Sequence, residues 1–298
     1  MSFSWGAPSI HVATIVLCLG LLAWYHEATR VPGSQATRRQ RIVFWFGVGF
    51  LFVALSWPVA DLAQHTSLLL IVFQRQLLVL GAAPCLLFGT PMAVTARLTR
   101  PPAIDAVASR LSRPVPALAT TTVLLFATAI PPSISAASSS TLVRTFLVVL
   151  TMVAGITLWL PVIVRVPGNP HLSDIAKAGY LVAQSLAPTF LSFAWIFARR
   201  PLYSSLTGQH RVLGFSAMSD QQLSAYLSKL LTFGILWTVA YVLFARAADG
   251  DDDAADDPLH WVDVQRSLER LDRHERRAGI SPGQREAGAA EDSGTPDQ

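Results

Sequence analysis

The chain has 298 residues, 52% of them hydrophobic and 14% charged, whereas a soluble domain carries about 25% charge. Its net charge of +4 comes from basic residues in short loops between apolar runs, the pattern of a membrane protein displaying its orientation rather than of a nucleic-acid binder. The two cysteines, Cys18 and Cys85, both lie inside apolar runs and exclude a disulfide framework or a CxxC site.

A helix that crosses a bilayer needs about 20 apolar residues. The first such run, 9–25, has no basic region ahead of it and no small-residue cleavage site, so it is read as a retained span. Further runs follow at 42–60, 66–90, 114–134, 141–165, 176–198 and 222–245. The fourth is the weakest, diluted by Thr120, Thr121 and Thr122 and ended by Pro131 and Pro132. The expected fold is therefore all-α and polytopic, with about seven transmembrane helices. Lys and Arg in short loops set its orientation. Arg30, Arg38, Arg39 and Arg41 follow the first run, Arg97, Arg100, Arg110 and Arg113 the third, and Arg165 and Lys177 the fifth. The loops after the second and fourth hold no Lys or Arg, which places the N-terminus outside and the C-terminus inside. The loop with Arg199, Arg200 and Arg211 runs against this pattern.

Of the 19 Asp and Glu, 14 lie between Asp249 and Asp297, which divides a membrane body (1–248) from a cytoplasmic tail (249–298). The tail opens with an acidic linker. Asp257-Pro258 then reads as the start of a short amphipathic helix over about 258–278, with Trp261, Val264, Leu268 and Leu271 at three- and four-residue spacing. Its arginines suit the anionic lipid heads of the inner face. Beyond Gly279 the composition is that of a disordered end.

Ionisable groups inside a span are costly, so each raises a functional question. The sharpest case is Gln74-Arg75-Gln76 in the third run. Counted from Thr66 at 1.5 Å per residue, Arg75 lies about 13 Å deep, near the midplane. It is either a strut held by carbonyls at the Pro84 kink or by Gln184, or the lining of a pocket for an anionic group. The two glutamines cannot share one helix face with it. Lys229 and Arg144 read as snorkelling groups. Asp61 reads as a cap at the end of the second span, and Asp220 as a cap for the last helix. With His65 and Tyr203, these outer-side groups are candidates for one polar cluster. The seven histidines (His11, His26, His65, His171, His210, His260 and His274) show no i, i+3 or i, i+4 pair, so no helix-borne metal site is expected. There is no GxSxG, Walker loop or GxGxxG, and no catalytic constellation.

The stretch LSWPVADLAQHTSLLLIVFQRQLLVLGAAPCLLFGTP, from Leu55 to Pro91, resembles the CtaG-type cytochrome c oxidase assembly factors of bacterial plasma membranes. Pro58, Asp61, His65, Gln74, Pro84, Gly89 and Pro91 fit that family's pattern. LWLPVIVRVPG (Leu158 to Gly168), PLYSSL (Pro201 to Leu206) and SDQQLSAYL (Ser219 to Leu227) look like its later segments. The resemblance runs from about 10 to 246 and implies a role in maturing a haem-copper oxidase, linked to copper delivery, with oxidase subunits and the lipid bilayer as partners. Arg75 stands where the family has a histidine after the glutamine, and Leu142-Val143-Arg144 where it places another. Arginine stays protonated and does not ligate copper. His65 is thus the one imidazole left at the matched positions.

The chain is therefore expected to be a non-enzymatic oxidase assembly factor of the bacterial plasma membrane. Its outer-side polar site comprises Asp61, His65, Gln74, Arg75, Tyr203, Asp220 and Gln221. The alternative is a small transporter or channel whose pathway includes Arg75, Gln184 and Lys229. A weaker one is a membrane enzyme acting on a lipid or a haem group.

Overall fold

Short polar side chains set the helix starts. Thr37 and Gln40 form a reciprocal capping box: the Gln40 amide donates to Thr37 Oγ1 at 3.2 Å and the Thr37 amide to Gln40 Oε1 at 3.0 Å. Ser67, Ser140 and Ser173 accept from first-turn amides of three later helices in the same way. The computed structural model describes residues 11–65, 67–164, 172–203 and 215–256, the side chains of 64, 65 and 250–256 excepted. Among these residues every regular element is helical: α1 Val12–Arg30, α2 Arg38–Leu55, α3 Val59–His65, α4 Leu68–Gly89, α5 Met92–Leu98, α6 Pro102–Leu111, α7 Pro114–Ala127, α8 Pro131–Ser139, α9 Thr141–Ile163, α10 Asp174–Phe197 and α11 Ala217–Asp256.

Five of these helices (α1, α4, α9, α10 and α11) are long and apolar enough to cross a membrane. The α7–α8 pair, bent by 56° at its break, counts as a sixth if taken as one span. The second expected run, α2, falls outside this set because Arg38, Arg39 and Arg41 fill its first turn. Two segments expected as loops are helical. Residues 92–111 form α5 and α6, and the Ser-rich stretch forms α8, which Pro131 and Pro132 begin as first-turn residues. The chain divides into two compact units, Met1–Ala245 and Arg246–Gln298. In the second, helix continues through the acidic run to Asp256, and the helix expected over about 258–278 lies outside the described residues.

α4 carries the feature that shapes the core. Its middle, Leu77–Ala82, is wound as a π-helix, in which each amide reaches back five residues, as Ala83 N–H does to Leu78 O. The next donor in that pattern would be residue 84, but Pro84 has no N–H, which orphans Val79 O. Trp159 of α9 fills the gap: its indole Nε1–H donates to Val79 O at 2.9 Å, buried. Trp159 is in turn packed with Leu158, Tyr180, Leu181 and Leu236, which join α9, α10 and α11 to α4 in the main core.

Close helix approach rests on glycines, Gly155 and Gly89 among them. A Cβ at Gly155 would lie 2.9 Å from Ala83 Cβ and 3.0 Å from Val79 Cα, at the π segment. A Cβ at Gly89 would lie 2.6 Å from the Phe44 amide nitrogen of α2. Tyr25 of α1 locks that second contact, stacking on Phe44 at 3.8 Å and donating its hydroxyl to Gly89 O at 2.9 Å.

Candidate functional site

Gln74, Arg75 and Gln76 project from α4 toward three different helices, as their roughly 100° steps around the axis require. Gln74 Nε2 donates to Ala54 O of α2 at 2.8 Å. Arg75 Nη2 donates to Leu125 O of α7 at 2.7 Å. Gln76 Nε2 donates to Ser228 Oγ of α11 at 3.0 Å and to Thr232 Oγ1 at 3.4 Å.

The Arg75 bond has a local cause. At the end of α7 the chain tightens, and Ala129 N–H turns to Phe126 O instead of Leu125 O. Leu125 O, freed of its helical amide, accepts from the guanidinium and from Thr128 Oγ1 at 3.1 Å, at a helix C-terminus whose dipole favours a cation. The neighbouring carbonyls of the break are also served. Thr128 Oγ1 donates to Leu124 O at 3.0 Å, Ser133 Oγ to Ala127 O at 2.6 Å, and Tyr203 Oη to Ala129 O at 2.7 Å. A broken helix at membrane depth needs such partners, because lipid offers none.

This corrects the expectation for Arg75. The kink carbonyl is taken by Trp159, and Gln184 makes no bond to Arg75: both polar atoms of the Gln184 amide are buried without a partner. Thr121 Oγ1 is in the same state. Gln184 is 2% exposed and Thr121 0%. Both line a cavity of about 50 Å³ with Arg75, Gln76, Thr122, Ser228 and Thr232, walled by apolar residues that include Val72, Leu80, Leu158 and Trp195. Arg75 also lines a second cavity, of about 90 Å³, with Gln74, Thr128, Thr151 and Arg144. No carboxylate lines either cavity. Arg144, expected to snorkel, is half-buried, lines this second cavity and donates Nε–H to Ala137 O at 3.3 Å.

The other expected site residues fall into separate groups. Asp220 is 4% exposed and does not cap its own helix. Its carboxylate crosses to the start of α4, accepting from Ser67 Oγ–H and, at 2.7 Å, from Leu68 N–H, while Ser216 caps α11 by accepting from Ser219 N–H at 3.0 Å. Beside it, Gln221 clamps the end of α10, donating to Trp195 O at 2.9 Å and accepting from Leu202 N–H at 2.8 Å. Tyr203 lies edge-on to Trp195, and burial pushes its phenol up to about 12, with Trp195 and the Arg75 charge pulling the other way. Asp61 instead meets His11 Nε2 at 3.0 Å. The side chain of His65 lies outside the described residues. Among the described side chains of this set, the contacts thus join Asp220 to the start of α4, Gln221 to the end of α10, Tyr203 to Trp195 and to the charge of Arg75, and Asp61 to His11. Lys229 is bonded to Thr189 Oγ1 at 2.7 Å and placed over the Phe193 and Phe233 rings, and it is not among the residues that line the Arg75 cavity, so the expected pathway of Arg75, Gln184 and Lys229 finds no support among the described residues.

Sequence reading missed Ser67, His11, Thr121, Leu125 and Trp195. Ser67 was legible as an N-cap, directly before the apolar run; the others act through partners distant in sequence. Copper fits this donor set poorly. Among the described residues no three His, Cys, Asp or Glu come together, and Cys18 and Cys85 lie in different helices.

Five helices long and apolar enough to cross a membrane, a bent apolar helix pair with capped carbonyls and an arginine lining two cavities are the features of a helical membrane protein. Residues 18–249 match the family model described as cytochrome c oxidase caa3 assembly factor, and the chain belongs to that family. No curated protein and no solved structure matches it.

Proposed function

We propose that this protein is a non-catalytic factor that assembles a haem-copper oxidase within the bacterial plasma membrane, meeting oxidase subunits through helix–helix contacts. The observation that carries this reading is the family match over residues 18–249, which takes in every candidate span except the start of α1. Exposed apolar side chains on α11, among them Tyr226, Leu230, Phe233, Trp237 and Tyr241, recur at three- and four-residue spacing and suit lipid or a partner helix. Seven spans result when α2 and the α7–α8 pair join the five apolar helices, with the N-terminus outside and the tail from 249 inside, by the distribution of arginines. Asp61, His65, Gln74, Arg75, Tyr203, Asp220 and Gln221 would then belong to the interior and outer half of the bundle. Copper delivery is not part of the proposal, since the described donors do not fit the metal.

The test is capture during oxidase synthesis. Full-length tagged protein, crosslinked in membranes while the oxidase is being made, should bring down newly synthesised oxidase subunits, and the yield should fall once synthesis stops. Capture of fully assembled oxidase alone, or of none in membranes that are making it, would contradict the reading.

A further inference from the structure

The cavity between α4, α7, α10 and α11 holds groups that the fold itself leaves unserved. Arg75 donates one N–H to Leu125 O and lines the cavity wall, with further guanidinium donors for which no hydrogen bond is recorded. Gln184 and Thr121 present three buried polar atoms with no partner. A native interior rarely leaves such atoms unsatisfied, and each orphan points to water or a ligand. Charge narrows the choice. Among the described residues, Arg75 has no carboxylate within ion-pair distance, and none lines the cavity. A cation in hydrocarbon surroundings needs an anionic partner more than it needs water.

From this arrangement we propose that the cavity binds the carboxylate of a small monoanion or of an apolar acid, gripped by Arg75, Gln184 Nε2 and Thr121 Oγ1. About 50 Å³ holds a carboxylate head with a water or two, since one water occupies about 10–15 Å³ on this measure. A single guanidinium matches a single negative charge, and its planar fork suits two carboxylate oxygens. Gln184 Oε1, an acceptor, faces an accompanying water rather than the anion. The apolar remainder of the wall (Val72, Val79, Leu80, Phe126, Leu158 and Leu191) suits contact with the first carbons of an attached chain, the rest of which would extend beyond the cavity. Pro188, also in the wall, has no N–H to give the Gln184 carbonyl, an acceptor that suits a water beside the anion rather than the anion itself. The inference rests on this cavity and does not depend on the assembly role.

The experiment uses full-length protein purified in a neutral detergent, with thermal unfolding read by tryptophan fluorescence. Three probes separate the sources: acetate as a free carboxylate, laurate as a carboxylate with a tail, and dodecanol as the tail without the charge. Wild type should be stabilised in a saturable way by laurate or acetate and not by dodecanol. Laurate acting at concentrations at least ten times lower than acetate identifies an acid from the bilayer; equal potency identifies a small anion from water. Arg75→Gln should weaken the carboxylate effect tenfold or more. Because Arg75 also holds the break after α7, Gln184→Leu and Thr121→Val carry the argument independently of that variant's folding, each weakening binding several-fold. Arg144→Gln, in the other cavity, should leave it unchanged. Stabilisation by dodecanol equal to that by laurate would overturn the proposal. So would Gln184→Leu and Thr121→Val variants that respond to carboxylate as wild type does, which would mean that the cavity holds water alone.

Discussion

Replacing Asp220 by alanine should destabilise the bundle far more than a surface carboxylate would, and through α4 rather than through its own helix. The carboxylate is buried and accepts from Ser67 Oγ–H and Leu68 N–H, with Leu69 N–H at 3.5 Å. Truncation leaves two buried donors unserved, each costing about 1–3 kcal/mol, and removes a charge that favours a helix N-terminus by about 0.3–1 kcal/mol. Against this stands the desolvation that the buried carboxylate itself pays, which truncation returns. The net loss is about 2–4 kcal/mol. Asp220→Asn keeps one acceptor oxygen and should lose about half as much. The assay is reversible unfolding of purified protein in mixed micelles, followed by tryptophan fluorescence, with Ser67→Ala and the double variant completing a cycle. Ser67 and Asp220 should couple by about 1–2 kcal/mol, as expected of residues in direct contact. A loss below about 1 kcal/mol for Asp220→Ala, or strict additivity with Ser67→Ala, would refute the assignment of Asp220 as the cap of α4.

Three further outcomes follow from the same contacts. Trp159→Phe deletes the donor to Val79 O and should cost about 1–3 kcal/mol in the same unfolding assay; an unchanged midpoint would mean that the π segment does not need the indole. Gly155→Ala places a methyl group 2.9 Å from Ala83 Cβ and should lower stability by about 1–3 kcal/mol through overpacking, whereas Gly179→Ala, with open space around it, should be neutral or mildly stabilising. Tyr203 holds its proton more tightly in the fold, where burial pushes it up to about 12, than in the unfolded chain near 10. Its contribution is therefore complete below pH 10 and is lost as pH rises from 10 through 12, and Tyr203→Phe should flatten that part of the stability profile.

The membrane class, and five of the helices, were legible because crossing a bilayer demands long uninterrupted apolar runs, and α1, α4, α9, α10 and α11 meet that demand. The π-helical turn was not, since it arises from Pro84 acting together with Trp159, a donor 80 positions away in sequence. The site was legible in part for the same reason. Arg75 stood out from sequence because a mid-span cation is rare, yet its partner is a main-chain carbonyl at the end of α7, which no residue type announces. Asp220 was read as a cap for α11 because a local partner is the default for an acid before a helix. The fold instead brings it to Ser67, 153 residues distant, and gives the local duty to Ser216. Gln184 shows the limit most clearly: its type suggested a partner for Arg75, whereas its burial without any partner is what marks the cavity.

The proposed role is assembly of an oxidase. The most direct measurement is the amount of assembled cytochrome c oxidase in isolated membranes, read by its haem absorbance and by turnover, in wild type, in a strain lacking this chain and in the same strain with the chain restored. An assembly factor should give loss of assembled oxidase on deletion while its subunits are still synthesised, and recovery on restoration. Oxidase content and turnover unchanged by the deletion would contradict it.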